Sequence, residues 1–334
     1  MSTTGTNGMP RRSFITTMAL GGAGASLAAA GSARAAGTGL PAGDVAILRF
    51  LAAAELIEAD LWQQIAELAN NNPAYQKALL NIDTAILGYI QNNTNDEISH
   101  QAFLNDFLIS QNLEPVDLDP FRNLPSSTAT GAEPIGRLTN LMQLNVDTSW
   151  YLRYRGFGNP DFGNSFPQLV TIKNRPAIPL RDNYTANQIQ AIANTANFFF
   201  GAIEQGGTSL YPELSLKVTS VEALRVVTNI GPSEAWHLAI WDNTAAEIPA
   251  VNSGDGLVFT APPAPSMAFP TPCTFLSADL PRCAVVRPTN PALSGPKAVV
   301  QFLTQDGLFV GQSPGFFTTL NKLAAAAEAA RRDS

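Results

Sequence analysis

Both histidines of this 334-residue chain follow a glutamate at the same spacing, and this pattern is the strongest sign of chemistry in the sequence. His100 stands three residues after Glu97, and His237 stands three residues after Glu234. Residues three apart on a helix share a face, so each pair can direct a carboxylate and an imidazole towards one point. Because these ligands suit iron, manganese or zinc, the two pairs predict metal binding.

Further carboxylates are needed before two such pairs form a complete site. In helix bundles, one glutamate from each of two other helices completes a two-metal centre. The third helical segment offers only Glu204, whereas the first offers Glu55 and Glu58, which the apolar periodicity does not separate. A glutamate on an apolar face is costly unless it is paired or metal-bound. At least one of the two is therefore expected to be a ligand, and the other is a candidate for holding a histidine N–H.

Four segments of the sequence are predicted to be helices that carry these residues. Ala, Leu, Glu and Gln dominate the first of them. Asp44 is the candidate cap of the first segment. Thr219 and Glu222 have capping-box spacing at the start of the fourth segment, and Thr94 and Glu97 have it inside the second. The predicted helices cover residues 44–70, 73–112, 186–205 and 219–242.

Three short stretches are expected to disturb these helices. The polar run Asn92–Asn95 favours an interruption of the second helix, with a fresh start at Thr94. The pair Gly206–Gly207 is expected to break or loosen the third helix. Gly231–Pro232 lies inside the fourth, where a proline removes one backbone hydrogen bond and predicts a kink or a bulge.

Long irregular segments lie between and after the helices. Residues 113–184 are rich in Pro, Gly and Asn and form a long crossover, within which residues 138–155 fit neither helix nor strand clearly. Prolines are dense over residues 246–296, and Ser313–Pro314 opens a last helix. The sequence thus predicts an all-α four-helix bundle over residues 36–245 and an irregular Pro-rich extension with a C-terminal helix over residues 246–334.

The first 35 residues have the pattern of a targeting signal. Arg11 and Arg12 precede an uncharged apolar stretch, and small residues lead up to Ala35. This resembles a twin-arginine export signal and predicts a periplasmic or secreted protein. The stretch is too short and too weakly hydrophobic for stable membrane insertion. In an oxidising compartment, Cys273 and Cys283 are expected to form a disulfide.

The overall composition limits the classes of partner. The chain has 20 Lys and Arg against 27 Asp and Glu, which gives a formal net charge of −7. An acidic chain is a poor binder of the phosphate backbone, so nucleic acid is not expected as a partner. Metal cations are attracted by the same charge. With 45% hydrophobic residues, the chain has enough apolar material for a core and is not of the disordered class.

The order of ligands along the chain resembles the ferritin-like superfamily: Glu, Glu-x-x-His, long crossover, Glu, Glu-x-x-His. Within it, the chain is most similar to exported proteins grouped with desiccation- and stress-associated proteins. In ferritins and bacterioferritins the first ligand stands seven residues before an aromatic residue, as Glu55 does before Trp62. The resemblance therefore implies two Fe or Mn ions held by Glu55, Glu97, His100, Glu204, Glu234 and His237.

The resemblance also implies a function for such a site. Glu97 and Glu234 would bridge two metals that react with oxygen or peroxide in stress protection, with no catalytic residues beyond the ligands. One alternative is a non-catalytic desiccation or stress protein, and another is a binding module that uses the Pro-rich tail. The crossover and the extension would hinder a closed storage shell, which argues against iron storage. A homo-oligomer is compatible with this reading.

Overall fold

Helices dominate the part of the chain that the computed structural model describes, which is residues 39–153, 167–264, 277, 279–281 and 294–332. The strands there form two small antiparallel sheets of two strands each. The prediction of an all-α core is confirmed. The expected export signal, residues 1–35, and the expected disulfide of Cys273 and Cys283 lie outside the described residues.

Four long helices form the core, and their apolar faces meet inside it. Helix α1 (Ala42–Asn71) packs mainly against α3 (Ile86–Ser110), and α5 (Ala186–Ser215) packs mainly against α6 (Val221–Ala245). Leu48, Leu51 and Trp62 of α1 are completely buried in this core. Tertiary packing of such apolar faces, more than helix propensity, is what stabilises helices of this kind.

The predicted second helix is divided, but not at the polar run where the break was expected. It consists of a short α2 (Pro73–Leu80) and of α3, which begins at Ile86 and runs without interruption through Asn93 and Thr94. The expected interruption and the fresh start at Thr94 are therefore wrong. Both polar side chains are buried and satisfied there, since the Thr94 hydroxyl donates to the Ile90 carbonyl at 2.7 Å. These hydrogen bonds outweigh the local preference of Asn and Thr for helix ends.

Neither Gly206–Gly207 nor Gly231–Pro232 breaks its helix. Helix α5 continues through Gly206 and Gly207 to Ser215, and α6 continues through Gly231 and Pro232. A Cβ on Gly207 would lie 2.3 Å from Glu234 Oε2, and one on Gly231 would lie 2.6 Å from Tyr211 Cβ. These glycines allow α5 and α6 to approach closely. The expected break or loosening at Gly206–Gly207 is wrong for this reason.

The capping residues act differently from the sequence expectation. Asp44 does not cap α1, which has no side-chain cap. Its carboxylate instead accepts hydrogen bonds from the backbone N–H groups of Thr219 and Ser220, at 2.8 and 2.7 Å. Ser220 is the N-cap of α6 and accepts from the Ala223 N–H at 3.1 Å. Asp44 thus joins the start of α6 to the first turn of α1.

The crossover has local structure of its own. Strand β1 (Leu144–Val146) pairs with β2 (Ile172–Arg175), and the short helix α4 (Ser149–Arg153) follows β1. A hairpin of β3 (Val251–Asn252) and β4 (Val258–Phe259) comes after α6. Order in the crossover is consistent with the rule that long structureless loops are rare in compact domains.

A buried carboxylate of α1 fastens the crossover to the bundle. Asp60 Oδ2 accepts the backbone N–H groups of Leu138 and Thr139 at 3.0 and 2.9 Å. Its other oxygen accepts Arg122 Nη1 at 2.7 Å. Burying a carboxylate is costly unless its oxygens have partners, and both oxygens of Asp60 have them here. The crossover is therefore held against α1 along the middle of the bundle.

The end of the chain adds two helices to the bundle, of which the sequence predicted one. Helix α7 (Pro296–Gln305) was not expected, and α8 (Pro314–Ala329) starts at the expected Ser313–Pro314. Helix α8 packs along α1, and Phe316 and Leu320 are buried there. None of the helices in the described ranges has the length and apolarity that a membrane crossing needs.

Candidate metal centre

The six predicted ligands come from the four long helices and meet in the middle of the bundle. Five of them are at most 1% exposed, and the side chain of His100 is 12% exposed. Helices α3 and α6 each provide a Glu-x-x-His pair on one face, while α1 and α5 each provide one glutamate. The six are Glu55, Glu97, His100, Glu204, Glu234 and His237.

The ligand atoms divide into two groups that share two members. In the first group, atoms of Glu55, Glu97, His100 and Glu234 all lie within 4.8 Å of one another. In the second group, atoms of Glu97, Glu204, Glu234 and His237 lie within the same limit. Glu97 and Glu234 belong to both groups, so each has the position of a carboxylate that bridges two ions.

Each histidine directs Nδ1 into its own group. His100 Nδ1 lies 3.1 Å from Glu97 Oε2 and 3.4 Å from Glu55 Oε2. His237 Nδ1 lies 3.2 Å from Glu97 Oε1 and 3.3 Å from Glu204 Oε2. The two oxygens of Glu97 thus face different imidazoles, as a bridging carboxylate requires.

Several buried polar atoms at this point form no well-aligned hydrogen bond within the described residues, although some lie within ion-pair distance of a neighbour. A buried polar atom without a partner costs free energy, and a buried charge costs more. Divalent cations would satisfy these atoms, and mixed carboxylate and imidazole donors suit Fe or Mn. The residues present therefore fit a metal centre. The unpartnered atoms are Glu55 Oε2, Glu204 Oε2, both carboxylate oxygens of Glu234, and His237 Nδ1.

The crowded carboxylates have unusual proton affinities. Burial and the neighbouring carboxylates raise the pKa of Glu97 to about 7 and that of Glu234 well above its ordinary value. Burial lowers the pKa of both imidazoles, but adjacent carboxylates outweigh it and raise the pKa of His100 to about 10 and that of His237 to about 12. Without metal, the cluster therefore retains protons that cations would displace.

The outer nitrogen of each imidazole is held by a different group. His237 Nε2 lies 3.0 Å from the Asp96 carboxylate, and His100 Nε2 lies 3.3 Å from the Ser233 hydroxyl. Such partners fix the orientation and tautomer of a metal-binding imidazole. Glu58, the other candidate for this role, forms no hydrogen bond to either imidazole within the described residues; Asp96 and Ser233 hold the outer nitrogens instead, so that interpretation is wrong. Burial and the carboxylates of Glu55 and Glu97 raise its pKa well above the ordinary value.

Two further polar side chains hold the carboxylates, and sequence reasoning missed their role. Asn93 donates to Glu97 Oε1 at 2.9 Å and to Glu204 Oε1 at 3.1 Å. The Tyr211 hydroxyl donates to Glu55 Oε1. Asn93 stands four residues before Glu97, and this spacing on a helix was the signal that could have identified it.

Aromatic rings close one side of the centre. Trp62 stacks on Trp241 with 5.5 Å between ring centroids, and Phe200 lies 4.8 and 4.6 Å from these two rings. Trp241 Nε1 donates to Asn93 Oδ1 at 2.9 Å, which orients the amide towards the carboxylates. Trp236 is half exposed, with its ring 5.5 Å from the His237 imidazole. The buried rings keep water from this side of the site.

Comparison with known proteins gives one match. The family model described as a ferritin-like domain matches residues 43–247, which include the four long helices and all six residues of the two ligand groups. No curated protein and no solved structure matches the chain significantly.

Proposed function

The chain belongs to the ferritin-like domain family, and from this premise we propose that its bundle holds two Fe or Mn ions for redox chemistry with oxygen or peroxide. The observation that carries the proposal is the pair of ligand groups that share Glu97 and Glu234. Glu55 and His100 would complete one position, and Glu204 and His237 the other. Ions of this kind supply one-electron steps to oxygen or peroxide.

The chain's own residues would control access and protons. The aromatic rings of Trp62, Phe200 and Trp241 exclude water from one side, which strengthens electrostatic interactions inside the site. Asn93 and Tyr211 hold the carboxylates by hydrogen bonds. The proton on each imidazole would leave when a cation binds, because only the neutral ring is a ligand.

Metal analysis with matched variants tests the proposal. Purified protein is loaded anaerobically with Fe(II) or Mn(II), desalted and measured by plasma mass spectrometry. We expect about two ions per chain, lost in Glu97→Gln/Glu234→Gln and retained in Glu58→Gln, which changes a carboxyl outside both ligand groups. Full retention in the double variant, or no metal in folded wild-type protein, would overturn the assignment.

Turnover separates catalysis from a structural role. The loaded protein is mixed with Fe(II) and oxygen, or with peroxide, and consumption of the oxidant is followed. Sustained consumption that the double variant lacks supports the redox function. Stable metal binding without turnover favours the alternative of a non-catalytic desiccation or stress protein.

Export and stress protection complete the proposal. The support for export is the arginine pair Arg11–Arg12, the uncharged apolar stretch and the small residues before Ala35. Fractionation of bacterial cells that express the full chain tests it, with Arg11→Lys/Arg12→Lys as the matched variant. We expect the wild type outside the cytoplasm and the variant inside. Survival of drying and of peroxide, with and without the double ligand variant, tests the role in stress.

A further inference from the structure

A small cavity lies between the metal centre and the C-terminal extension. Its walls come from α1, α5 and α7, and its volume of about 20 Å³ holds one molecule the size of water. Glu55 of the first ligand group lines it from α1. Gly207 lines it from α5, and a Cβ there would lie 2.3 Å from Glu234 Oε2. The cavity therefore borders Glu55 directly and approaches the shared Glu234 at Gly207.

Burial increases from the rim of this cavity to its inner end. Ala54 and Glu58 are partly exposed, whereas Glu55, Gly206 and Gly207 are buried. All five line the cavity. The cavity thus leads from the surface side of α1 towards the ligands of the Glu55 half of the centre.

Helix α7 closes the cavity with an apolar face. Val299, Phe302 and Leu303 line it and are at most 9% exposed, whereas Lys297 and Gln301 of the same helix face solvent. The spacing of three and four residues places these apolar side chains on one side of α7. Helix α7 lies outside residues 43–247, which the family model matches. This wall is therefore supplied by the extension and not by the family domain.

The walls limit the size of a molecule that can occupy the cavity. Closely packed apolar side chains resist the insertion of further methyl groups, because they must leave favourable rotamers to make room. Dioxygen and hydrogen peroxide contain only two heavy atoms and need little adjustment of the walls. An organic hydroperoxide needs the Phe302 or Leu303 side chain to be displaced.

Building on the proposed redox function, we propose that α7 restricts the oxidants of the metal centre to dioxygen and hydrogen peroxide, with Phe302 as the specificity-determining residue. Small oxidants pass Ala54 and reach the Glu55 half, whereas the alkyl group of a larger oxidant meets Phe302 and Leu303. Two electrons, one from each ion, and two protons convert hydrogen peroxide into two water molecules. The same electrons and protons convert dioxygen into hydrogen peroxide, or an alkyl hydroperoxide into an alcohol and water.

Two oxidants of different size test the limit. The full chain loaded with Fe(II) is mixed with hydrogen peroxide or with tert-butyl hydroperoxide, and the rate of Fe(II) oxidation is measured. Phe302→Ala should raise the rate with the larger oxidant, relative to that with hydrogen peroxide, at least about tenfold. Leu303→Ala should change this ratio in the same direction. Phe316→Ala is the matched control, because it removes a buried ring that does not line the cavity, and it should keep the wild-type ratio.

A blocking variant tests whether this cavity is the route. Ala54→Leu places a larger side chain at the partly exposed rim of the cavity, with a residue that favours a helix. It should slow the reaction with both oxidants at least about tenfold while the metal content stays at about two ions per chain. An unchanged rate with hydrogen peroxide in this variant would show that oxidants enter elsewhere and would overturn the proposal.

An unreactive probe measures access without turnover. tert-Butanol has the alkyl group of the larger oxidant, and Mn(II) in the protein shortens the proton relaxation times of molecules that come close. Enhanced relaxation should appear in Phe302→Ala and not in the wild type or Phe316→Ala. Equal relaxation in all three, or equal oxidant ratios in all three, would reject the role of α7 and leave the redox function standing. Failure of metal-loaded wild type to react with either small oxidant would instead reject the redox function, and the relaxation measurement would still decide whether α7 limits access.

Discussion

The two halves of the candidate metal centre have the same ligand types and different surroundings. One half, Glu55 with His100, is the more open, since the His100 side chain is 12% exposed and that of His237 is 1% exposed. The His100 ring meets a neutral hydroxyl at Ser233. The other half, Glu204 with His237, is buried and its imidazole meets a carboxylate.

This difference indicates different tasks for the two positions. A carboxylate that accepts a hydrogen bond from the outer nitrogen of an imidazole makes the ring a stronger metal ligand, and a hydroxyl has a weaker effect. The buried Glu204 half should therefore retain its ion, and the open Glu55 half should exchange its ion or admit an oxidant. The shared residues Glu97 and Glu234 couple the two halves, because a shift of either carboxylate alters both.

Gly207→Ala should have the largest effect, because it should remove the metal ions from both halves of the centre at once. The new Cβ would lie 2.3 Å from Glu234 Oε2 and 2.9 Å from its Cγ. Since Glu234 belongs to both ligand groups, its displacement should remove both ions and the difference between the halves. Metal content by plasma mass spectrometry should fall from about two per chain towards zero.

Gly88→Ala is the matched control for this change. A Cβ on Gly88 of α3 would meet nothing within 4 Å. This variant should keep its metal and gain about 0.5–1 kcal/mol of stability, because alanine favours a helix over glycine. Normal metal content in Gly207→Ala would contradict the role of Gly207 in placing the Glu234 carboxylate.

The role of Gly207 could not be predicted from the sequence, although the ligands could. The two Glu-x-x-His pairs could be identified because the i,i+3 spacing places both side chains on one helical face, whatever the fold. The role of Gly207 depends on Glu234 of another helix, and no local pattern contains that contact. A glycine that breaks a helix and one that admits a neighbour look the same in a sequence.

Asn93 was misjudged for a related physical reason. Local propensity places asparagine at helix ends, so the run Asn92–Asn95 favoured a break. In the bundle, Asn93 bonds to Glu97, Glu204 and Trp241 from the middle of α3. Tertiary hydrogen bonds decided the outcome. Helix α7 was overlooked although Gly295–Pro296 is a readable start, because the prolines before it indicated irregular chain.

Lowering the pH should weaken metal binding in both halves. Each imidazole has a pKa raised far above 7 in the metal-free protein, to about 10 for His100 and about 12 for His237. Each bound ion must therefore displace at least one proton, so its affinity should fall about tenfold per pH unit between pH 8 and pH 6.

Calorimetry in buffers of different ionisation enthalpy counts the released protons. An affinity that does not change with pH would contradict the assignment of both histidines.

The same pKa shifts should make the metal-free protein less stable as the pH rises from 5 to 9. In that range the folded state holds more protons than the unfolded chain, on Glu97 up to about pH 7 and on the imidazoles above pH 6.5.

Asp96→Asn should lower the metal affinity of the buried Glu204–His237 half alone. It keeps the shape of the side chain and removes the charge behind His237, 3.0 Å from Nε2. Changes of this kind typically cost 10- to 100-fold in metal affinity. One ion should leave during titration with a chelator while the other stays. Ser233→Ala, which removes the hydroxyl behind His100, should lower metal affinity by less. Equal losses of affinity in the two variants would contradict the proposed difference between the halves.

The smallest expected effect comes from Tyr211→Phe and should fall on the open half. The hydroxyl donates one hydrogen bond to Glu55 Oε1, and its loss leaves that oxygen without a side-chain donor in the described structure. A single neutral donor is worth about 0.5–1.5 kcal/mol, so affinity at the Glu55 position should fall about two- to tenfold. The Glu204 position keeps its Asn93 donor and should be unchanged. Competition with a chelator resolves the two steps, and a loss at the Glu204 position instead would reverse the assignment of the two halves.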